Sequence, residues 1–511
     1  SSASWPLTPP VIKIAWRSCL PRDHPHQPPR NRQAGGDHLR RLVVSEHSRI
    51  ERQSATTSGA EGAGSLEGHL YDRLRTYDCA QRETAQRIFD WSDGYARTTQ
   101  WVGVVQVPGV QIEILPKIDA LADAAHPVGT GTGAELQPGP DGEEARYAAR
   151  RNLLYMLAIS GDVPVRSRDV ARLAIRQAPL SETLAAIFAD RLRQELLRGP
   201  ERAYQEREAD LRRFKGKLHV PRQILRNQVH RERFYCRFDE FSEDTPMNRI
   251  FRASCRVLLD YTRSPATQDA LRQCLLLLDG VPDTAIQETD FGRIAINRQN
   301  ERFADVLRFC RLLLAGRSPT IQAGATPTFS LLFDMNKVFE RFVAAFLRRH
   351  VAPGLTEVEV HPQGGQHKRH LMTSEGLGVL RLEPDLFVLG PGGRRLVMDT
   401  KWKLLAPGRR GRGGVAEADL YQLYAYTRRY GCARSVLLYP HSPGLEPRDF
   451  DVLDAQGLSQ ERVAIRHVRL HRNLHQEAER ASLARELAAI LREGLNLGMD
   501  LNDPVAVGRA T

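Results

Sequence analysis

The chain has 511 residues, of which 41% are hydrophobic and 26% are charged. This length predicts two to four domains, and the composition excludes a chain that is disordered throughout. No apolar run approaches the ~18 residues that a membrane span needs, so we expect no membrane protein. The net charge is +12, and 65 of the 73 basic residues are arginine. A basic, arginine-rich surface favours polyanionic partners, with nucleic acid as the first expectation.

The seven cysteines are scattered, odd in number and never spaced as CxxC. This distribution argues against a disulfide framework and against a zinc site built from cysteines. A secretory signal with an apolar segment and a cleavage site is not visible in the sequence. We therefore expect a cytoplasmic protein.

The amino-terminal part of the chain divides into a tail, a β-rich domain and a linker. Residues 1–39 are rich in Pro, Arg, Ser and Gly, which predicts a disordered tail, with a basic DNA-binding arm as the alternative. Order begins near Arg41, where Leu42–Val44 is typical of a strand. We assign residues 40–124 to the β-rich domain and residues 125–145, rich in Gly, Pro and Ala, to a linker.

Within the β-rich domain, Trp101–Ile114 predicts a strand, a Pro-Gly turn and a second strand. In the second strand, apolar residues alternate with Gln111 and Glu113 in the sequence VQIEI. This period of two is that of a half-buried strand. We therefore expect Gln111 and Glu113 to face solvent.

Helical periods dominate the middle of the chain, residues 146–328. A more extended section, Lys215–Phe241, interrupts them; it contains a basic run and leads into the acidic sequence DEFSED. The fold class predicted at this point is a multidomain α/β protein. It has a β-rich amino-terminal domain, a mainly helical middle region and a carboxy-terminal α/β domain.

The carboxy-terminal domain is predicted to span residues 329–500 and to leave residues 501–511 as a tail. A helix at Asp334–His350 is followed by alternating strands and turns, and then by a closing helix at Leu474–Gly494. This mixture of strands and helices is typical of a sheet covered by helices.

A hairpin in this domain carries the residues with the clearest chemistry, in the segment Leu380–Lys403 (LRLEPDLFVLGPGGRRLVMDTKWK). The Gly-Pro-Gly-Gly sequence predicts a turn between two strands. Such a hairpin brings Asp385, before the first strand, close to Asp399 at the end of the second. Asp399 and Lys401 are two residues apart on a strand, so their side chains point to the same face.

Two carboxylates and one ammonium would then meet at one point. Hard oxygen ligands of this kind suit Mg²⁺, which can activate water and polarise a scissile phosphate. The ammonium can position the water or stabilise developing charge. The alternative is a surface hairpin with an ordinary ion pair, which contributes only ~0–1 kcal/mol.

The helices on either side of the hairpin add three candidate residues. Glu340 lies about 100° around the helix from the buried Phe339 and could reach the metal site from the edge of the apolar face. Gln422 and Tyr426, one turn apart in Asp419–Tyr430, could hydrogen-bond a DNA phosphate or base. The alternatives are a solvated glutamate and a helix that only makes aromatic core contacts.

These residues occur in an order that resembles the PD-(D/E)XK nuclease superfamily: Glu340, Pro384-Asp385, Asp399-x-Lys401 and Gln422-x3-Tyr426. The resemblance implies a mixed central sheet flanked by helices, and metal-dependent DNA cleavage. The Gln-x3-Tyr addition resembles the branch that includes RecB-type nuclease domains.

Longer segments are similar to McrC, the nuclease subunit of the modification-dependent McrBC restriction system. They are Val102–Lys117 (VGVVQVPGVQIEILPK), Phe238–Arg249 (FDEFSEDTPMNR), Leu332–Phe342 (LFDMNKVFERF), Asp399–Lys403 (DTKWK) and Asp419–Tyr426 (DLYQLYAY). The resemblance implies an McrB-like AAA+ GTPase ring as partner, which recognises DNA containing modified cytosine. It also implies that residues 40–124 and the middle region bind this partner, with Lys215–Asp244 as a candidate contact or, alternatively, a solvated charged surface. The chain would stimulate the partner's GTPase and cut the DNA.

The resemblance also assigns roles to the candidate residues. It implies Mg²⁺ bound by Asp385 and Asp399, Glu340 as a further acidic ligand or orienter, Lys401 assisting the water, and Gln422 and Tyr426 binding DNA. The chain lacks G-x4-GK[ST], so GTP should be bound by the partner. Two alternatives stay open: a RecB-like nuclease with a different motor, and a non-cleaving scaffold or GTPase activator.

Overall fold

The computed structural model describes residues 39–53, 64–81, 87–118, 140–165, 178–315, 329–403, 405, 414–441, 446–454 and 457–497. The predicted tails, apart from residue 39, lie outside these ranges, as does the predicted linker up to residue 139. A helix begins at Pro140, within the predicted linker of residues 125–145, so the predicted boundary at residue 145 is wrong. Within the described ranges, no helix combines the length and the apolar character that crossing a membrane requires.

The amino-terminal region contains, in chain order, β1 (Arg40–Ser45), β2 (Arg49–Gln53), β3 (Ser65–Glu67), α1 (Gly68–Gln81), β4 (Phe89–Ser92), β5 (Tyr95–Thr98), β6 (Trp101–Val107) and β7 (Val110–Leu115). The order β3-β2-β5-β4 forms one sheet, and β1, β7 and β6 belong to another. The predicted strand, turn and strand are β6 and β7, paired antiparallel. The helix α1 was not predicted, and its polar sequence has only a weak apolar stripe.

Strand β7 is buried on both faces, so the expected half-burial is wrong. Gln111 is 7% exposed and Glu113 is 6% exposed. Glu113 accepts a hydrogen bond of 2.5 Å from Arg150, and Gln111 donates to Gln106 at 2.9 Å. Helices distant in sequence cover the polar face, and the buried polar groups are stabilised by these partners.

The middle region contains α2 (Pro140–Ser160), α3 (Leu180–Leu196), β8 (Ala203–Leu211), β9 (Lys217–Leu218), α4 (Val220–Arg226), β10 (Phe234–Ser242), α5 (Pro246–Tyr261), α6 (Pro265–Leu277), α7 (Glu288–Gly292) and α8 (Ala304–Ala315). Local sequence starts two of these helices. Thr245 and Ser264 accept hydrogen bonds from the first turns of α5 and α6, and a proline follows each cap. The predicted extended section, Lys215–Phe241, contributes β9, the short helix α4 and most of β10, and the two strands form a small antiparallel sheet with the preceding β8, in the order β8-β10-β9.

The carboxy-terminal region contains β11 (Phe329–Asp334), α9 (Met335–Phe346), β12 (Glu359–Pro362), β13 (Arg369–Ser374), β14 (Leu377–Leu382), β15 (Leu386–Leu389), β16 (Arg395–Thr400), α10 (Glu417–Tyr430), β17 (Arg434–Pro440), β18 (Arg448–Asp454), β19 (Gly457–Val468) and α11 (Glu477–Gly494). Its main sheet has the order β12-β15-β16-β17-β19-β18. The strands β16, β17 and β19 run parallel, and the other pairs are antiparallel. A mixed α/β architecture with several sheets is therefore confirmed.

Both faces of this main sheet are covered. Leu396 and Met398 of β16 lie in the same core cluster as α9 and α11. The alternate residue Val397 lies in a second cluster with Leu423 and Tyr426 of α10. The odd-numbered positions of β16 therefore face α10, and this alternation determines where Asp399 points.

The amino-terminal sheet and the carboxy-terminal region are joined through β11. This strand pairs antiparallel with β6 and leads directly into α9. Gly103 of β6 has a φ of +132°, and a β-carbon there would overlap the carbonyl oxygen of Leu331. Glycine at this position allows the close approach of the two strands.

Candidate active site

The hairpin β15–β16 is formed as the sequence predicts. Leu386 lies opposite Met398 in the antiparallel register, which makes Asp385 and Asp399 neighbours across the hairpin. The turn is closed by a hydrogen bond of 2.9 Å from Gly390 N to Arg394 O. Its central glycines are left-handed, with φ of 67° and 74°, a conformation that glycine adopts without strain.

Asp385 is fixed by backbone and side-chain donors. Its Oδ2 accepts hydrogen bonds from the backbone N and the hydroxyl of Thr400, both at 2.7 Å. Burial and the Glu340 carboxylate raise the pKa of Asp385 to about 6, although the bonds from Thr400 oppose the rise. The carboxylate is therefore oriented, but its negative charge is not fully compensated.

Asp399 is 2% exposed and faces α10. Its Oδ2 forms an ion pair of 2.9 Å with Nζ of Lys401. Burial raises the pKa of Asp399 to about 7, the charge of Asp385 adds to the rise, and Lys401 opposes it. The single ammonium therefore does not outweigh the cost of burying this carboxylate next to a second one.

Lys401 follows the end of β16 and extends its pairing, because its backbone N donates to Leu438 O at 2.9 Å. Its Nζ donates to Gln422 Oε1 at 3.1 Å and lies 3.9 Å from Oδ1 of Asp419. Burial lowers the pKa of Lys401, but the neighbouring carboxylates, Asp399 first, outweigh burial and leave the pKa raised. The side chain thus stays an ammonium at neutral pH.

Glu340 lies at the edge of this group, on α9. It accepts a hydrogen bond of 3.3 Å from Gln363 Nε2, and the backbone N of Gln363 donates to Asp385 O at 2.7 Å. Burial raises the pKa of Glu340, and the charge of Asp399 contributes to the rise. Gln363 therefore links Glu340 to the segment that carries Asp385.

Gln422 and Tyr426 both lie on the face of α10 that meets the site, but their exposure differs. Gln422 is exposed, whereas Tyr426 is only 4% exposed. The Tyr426 hydroxyl accepts from Gln422 Nε2 at 2.9 Å and donates to Glu383 O at 3.2 Å. Tyr426 therefore fits a role in holding Gln422 and Lys401 better than a direct contact with DNA.

The predicted site omitted Asp419, which is 8% exposed. Its Oδ2 accepts from Lys403 Nζ and from the Tyr439 hydroxyl, both at 3.3 Å. Asp419 and Gln422 are three residues apart on α10, and this spacing places them on one helical face. That spacing is the signal that could have included Asp419.

A divalent ion would find two protein carboxylates at this site, those of Asp385 and Asp399. Among the described residues, no set of three or more His, Cys, Asp or Glu side chains is arranged to enclose a metal ion. Mg²⁺ is commonly held by one or two carboxylates, with water and substrate phosphate completing its shell. The neighbouring carboxylates of Asp385 and Asp399 fit this requirement, and Glu340 as a direct ligand remains a prediction.

The model of the family described as "McrBC 5-methylcytosine restriction system component" matches residues 96–440, about two thirds of the chain. The chain belongs to this McrBC family. All six candidate residues lie inside the matched range.

Two kinds of relative agree with this assignment. The type IV methyl-directed restriction enzyme EcoKMcrBC of Escherichia coli K12 is 21% identical over 302 residues, which are 57% of this chain and 85% of the relative. The refined half-complex from a tetradecameric assembly of Thermococcus gammatolerans McrB AAA+ hexamers with bound McrC has a TM-score of 0.59 at 20% identity. The alignment covers 88% of this chain and 100% of the chain from that assembly. The two chains therefore share a fold.

Proposed function

We propose that this McrBC-family chain is a Mg²⁺-dependent DNA endonuclease of the PD-(D/E)XK type. It would be the cleavage subunit of a GTP-driven complex that restricts DNA containing modified cytosine. The observation that carries the proposal is the buried Asp399, which lies across the hairpin from Asp385 and pairs with Lys401 at 2.9 Å. A buried carboxylate with a raised pKa beside an ammonium is typical of a catalytic site.

The residues divide the chemistry among themselves. Asp385 and Asp399 would hold the ion, which when bound supplies an activated water and neutralises charge on the phosphate. Thr400 fixes the orientation of Asp385 through two hydrogen bonds of 2.7 Å.

Lys401 would position the attacking water and stabilise the negative charge that develops on the phosphate. Gln422 accepts from its ammonium at 3.1 Å and so restricts where it points. Of the two predicted DNA-binding residues, Gln422 is exposed and Tyr426 is buried, so Gln422 is the candidate for direct contact with DNA.

A ring-shaped partner is supported by the surface of the middle region. The β8-β10-β9 sheet, α4 and the segments that connect them expose large apolar side chains, among them Tyr204, Phe214, Leu225, Val229 and Phe241, each more than half exposed. Exposed apolar groups on one projecting element are typical of a protein–protein contact. The solved T. gammatolerans assembly contains McrB AAA+ hexamers with bound McrC, and we propose a ring of that class as the partner here.

The test is cleavage by the chain reconstituted with an McrB-class AAA+ GTPase. The DNA carries 5-methylcytosine, and GTP and Mg²⁺ are present. We expect Asp399→Asn to lower cleavage by about 10³-fold or more, because it removes one metal ligand, and to leave stimulation of the GTPase unchanged.

The matched control is Asp283→Asn, a surface carboxylate far from the site in sequence, which should cut like the wild type. Wild-type cleavage by Asp399→Asn would contradict the proposal. If the wild-type chain stimulates the GTPase of the partner but does not cut DNA, the result would support the alternative of a non-cleaving scaffold or GTPase activator.

A further inference from the structure

A buried carboxyl group at the end of β1 connects the amino-terminal sheet to the candidate active site. Glu46 is 1% exposed, and its backbone N donates to Leu115 O at 2.9 Å, which continues the pairing of β1 with β7. Its Oε1 accepts from the backbone N of Lys117 and from Nε1 of Trp402, both at 2.7 Å. The same oxygen thus joins two parts of the chain separated by more than 280 residues.

Trp402 follows Lys401 directly, and its side chain lies on the opposite face of the strand. It belongs to the core cluster that contains α9, whereas Lys401 contacts Gln422 of α10. The indole packs edge-to-face against Phe339, with ring centroids 5.3 Å apart. Because Phe339 precedes Glu340 and Lys401 precedes Trp402, the indole links the helix that carries Glu340 to the segment that carries Lys401.

We propose that Glu46 is a positioning residue, which anchors Trp402 and thereby fixes the end of β16 that carries Asp399 and Lys401. Its catalytic consequence rests on the proposed nuclease function. The anchor makes the geometry of the site depend on the position of the amino-terminal sheet. A shift of that sheet, for example on contact with a partner, would reach Lys401 through a single hydrogen bond.

The polar character of this contact is costly for the fold, which argues for a role beyond packing. The second oxygen of Glu46, Oε2, is buried without a hydrogen-bond partner. Desolvation raises the pKa of Glu46 to about 7, although the donors from Lys117 and Trp402 oppose the rise. An apolar residue would fill this space without leaving a polar atom unsatisfied, but it could not hold the indole by its N–H.

The chain contains a matched control for this contact. Asp78 is fully buried and accepts from Trp91 Nε1 at 2.6 Å and from Ile88 N at 3.3 Å. The chemistry is the same, a carboxylate that accepts from one indole and one backbone N–H. This second pair lies within the amino-terminal region and carries no candidate site residue.

The experiment measures the rate of DNA cleavage by the full chain with its AAA+ partner and divides it by the folded fraction of each variant. It compares Glu46→Leu and Glu46→Gln with Asp78→Leu and Asp78→Asn. We expect Glu46→Leu to lower kcat for cleavage by about 10- to 100-fold with KM for DNA nearly unchanged, because the site is displaced but still binds. Glu46→Gln keeps the Oε1 acceptor and should recover most of the rate. Both Asp78 variants should keep the wild-type kcat.

Wild-type kcat in Glu46→Leu, or an equal loss in Asp78→Leu, would overturn the inference. A second readout does not depend on cleavage: ¹⁹F spectra of the chain labelled with 5-fluorotryptophan, with Trp402 assigned from Trp402→Phe. Addition of Mg²⁺ and DNA should shift the Trp402 resonance in the wild type and in Glu46→Gln, but not in Glu46→Leu. If the wild type does not cut DNA, the nuclease proposal fails. If the Trp402 resonance shifts identically in the wild type, Glu46→Gln and Glu46→Leu, the proposed anchoring by Glu46 is rejected.

Discussion

Two carboxylates of this protein have cationic neighbours and opposite pKa shifts. Asp283 is half exposed, and the guanidinium groups of Arg256 and Arg252 donate to it, with shortest contacts of 2.6 and 2.7 Å. These hydrogen bonds hold the pKa of Asp283 well below its usual range. Asp399 has one ammonium at 2.9 Å, is buried, and has a pKa raised to about 7.

The difference shows that burial and the number of hydrogen-bond donors decide whether the pKa of a carboxylate is raised or lowered in the fold. Asp283 receives donors on both oxygens while water still reaches it, so its charge is favourable in the fold. Asp399 is buried beside a second carboxylate, and one ammonium does not offset these two effects, so its charge is unfavourable in the fold. A site prepared for a ligand in this way reduces stability in the absence of the ligand.

The largest expected effect is on the kcat of DNA cleavage, and it distinguishes Lys401, beside Asp399, from Arg256, beside Asp283. Lys401→Met should lower kcat for DNA cleavage by about 10²- to 10³-fold, because the ammonium that faces the developing charge is lost. Arg256→Met removes a cation of the other cluster and should leave kcat unchanged. Rates measured with the AAA+ partner, GTP and Mg²⁺ would check this contrast, and equal losses in the two variants would break it.

A smaller effect should appear in stability and have opposite signs at the two sites. Without metal at neutral pH, Asp399→Asn should raise the free energy of unfolding by roughly 1–3 kcal/mol, since the raised pKa of Asp399 means that its charge is unfavourable in the fold even with Lys401 beside it. Asp283→Asn should lower it by about 0–1 kcal/mol, as expected for an exposed pair. Urea denaturation measures both values, and a loss of stability in Asp399→Asn would contradict the comparison.

The smallest effect is a pH dependence at Glu46, a second buried carboxyl group. Its pKa is raised from 4.5 to about 7, so between these values the folded state keeps a proton that the unfolded state has released. Stability from this group is therefore present below pH 4.5 and is lost as the pH rises through about 7. Glu46→Gln does not titrate, so its melting temperature relative to the wild type should rise between pH 5 and pH 8 and then level off.

Sequence patterns of short range predicted the parts of the site that depend on short-range geometry. The turn glycines indicated the hairpin, and the period of two put Asp399 and Lys401 on one face. The helical period placed Glu340 at the edge of a buried face, where the structure has it, and the spacing of Gln422 and Tyr426 put both on the inner side of α10.

Contacts between distant segments could not be predicted in this way. The donor of Glu113, Arg150, lies on the helix that begins at Pro140, so the period of two gave the wrong exposure for β7. Glu46 and Trp402 meet although 356 positions separate them, and no local pattern marks either residue. Tyr426 is likewise buried in a cluster with residues of distant strands, and its hydroxyl donates to the carbonyl of Glu383 between β14 and β15.

The central claim is that Asp385 and Asp399 hold a divalent cation for DNA cleavage. Titration of Mn²⁺ into the metal-free chain with a short DNA duplex, followed by the EPR signal of free Mn²⁺, tests it most directly. We predict one ion bound per wild-type chain, binding at least about tenfold weaker in Asp399→Asn, and wild-type binding in Asp283→Asn. Equal binding by wild type and Asp399→Asn, or no binding by either, would contradict the account.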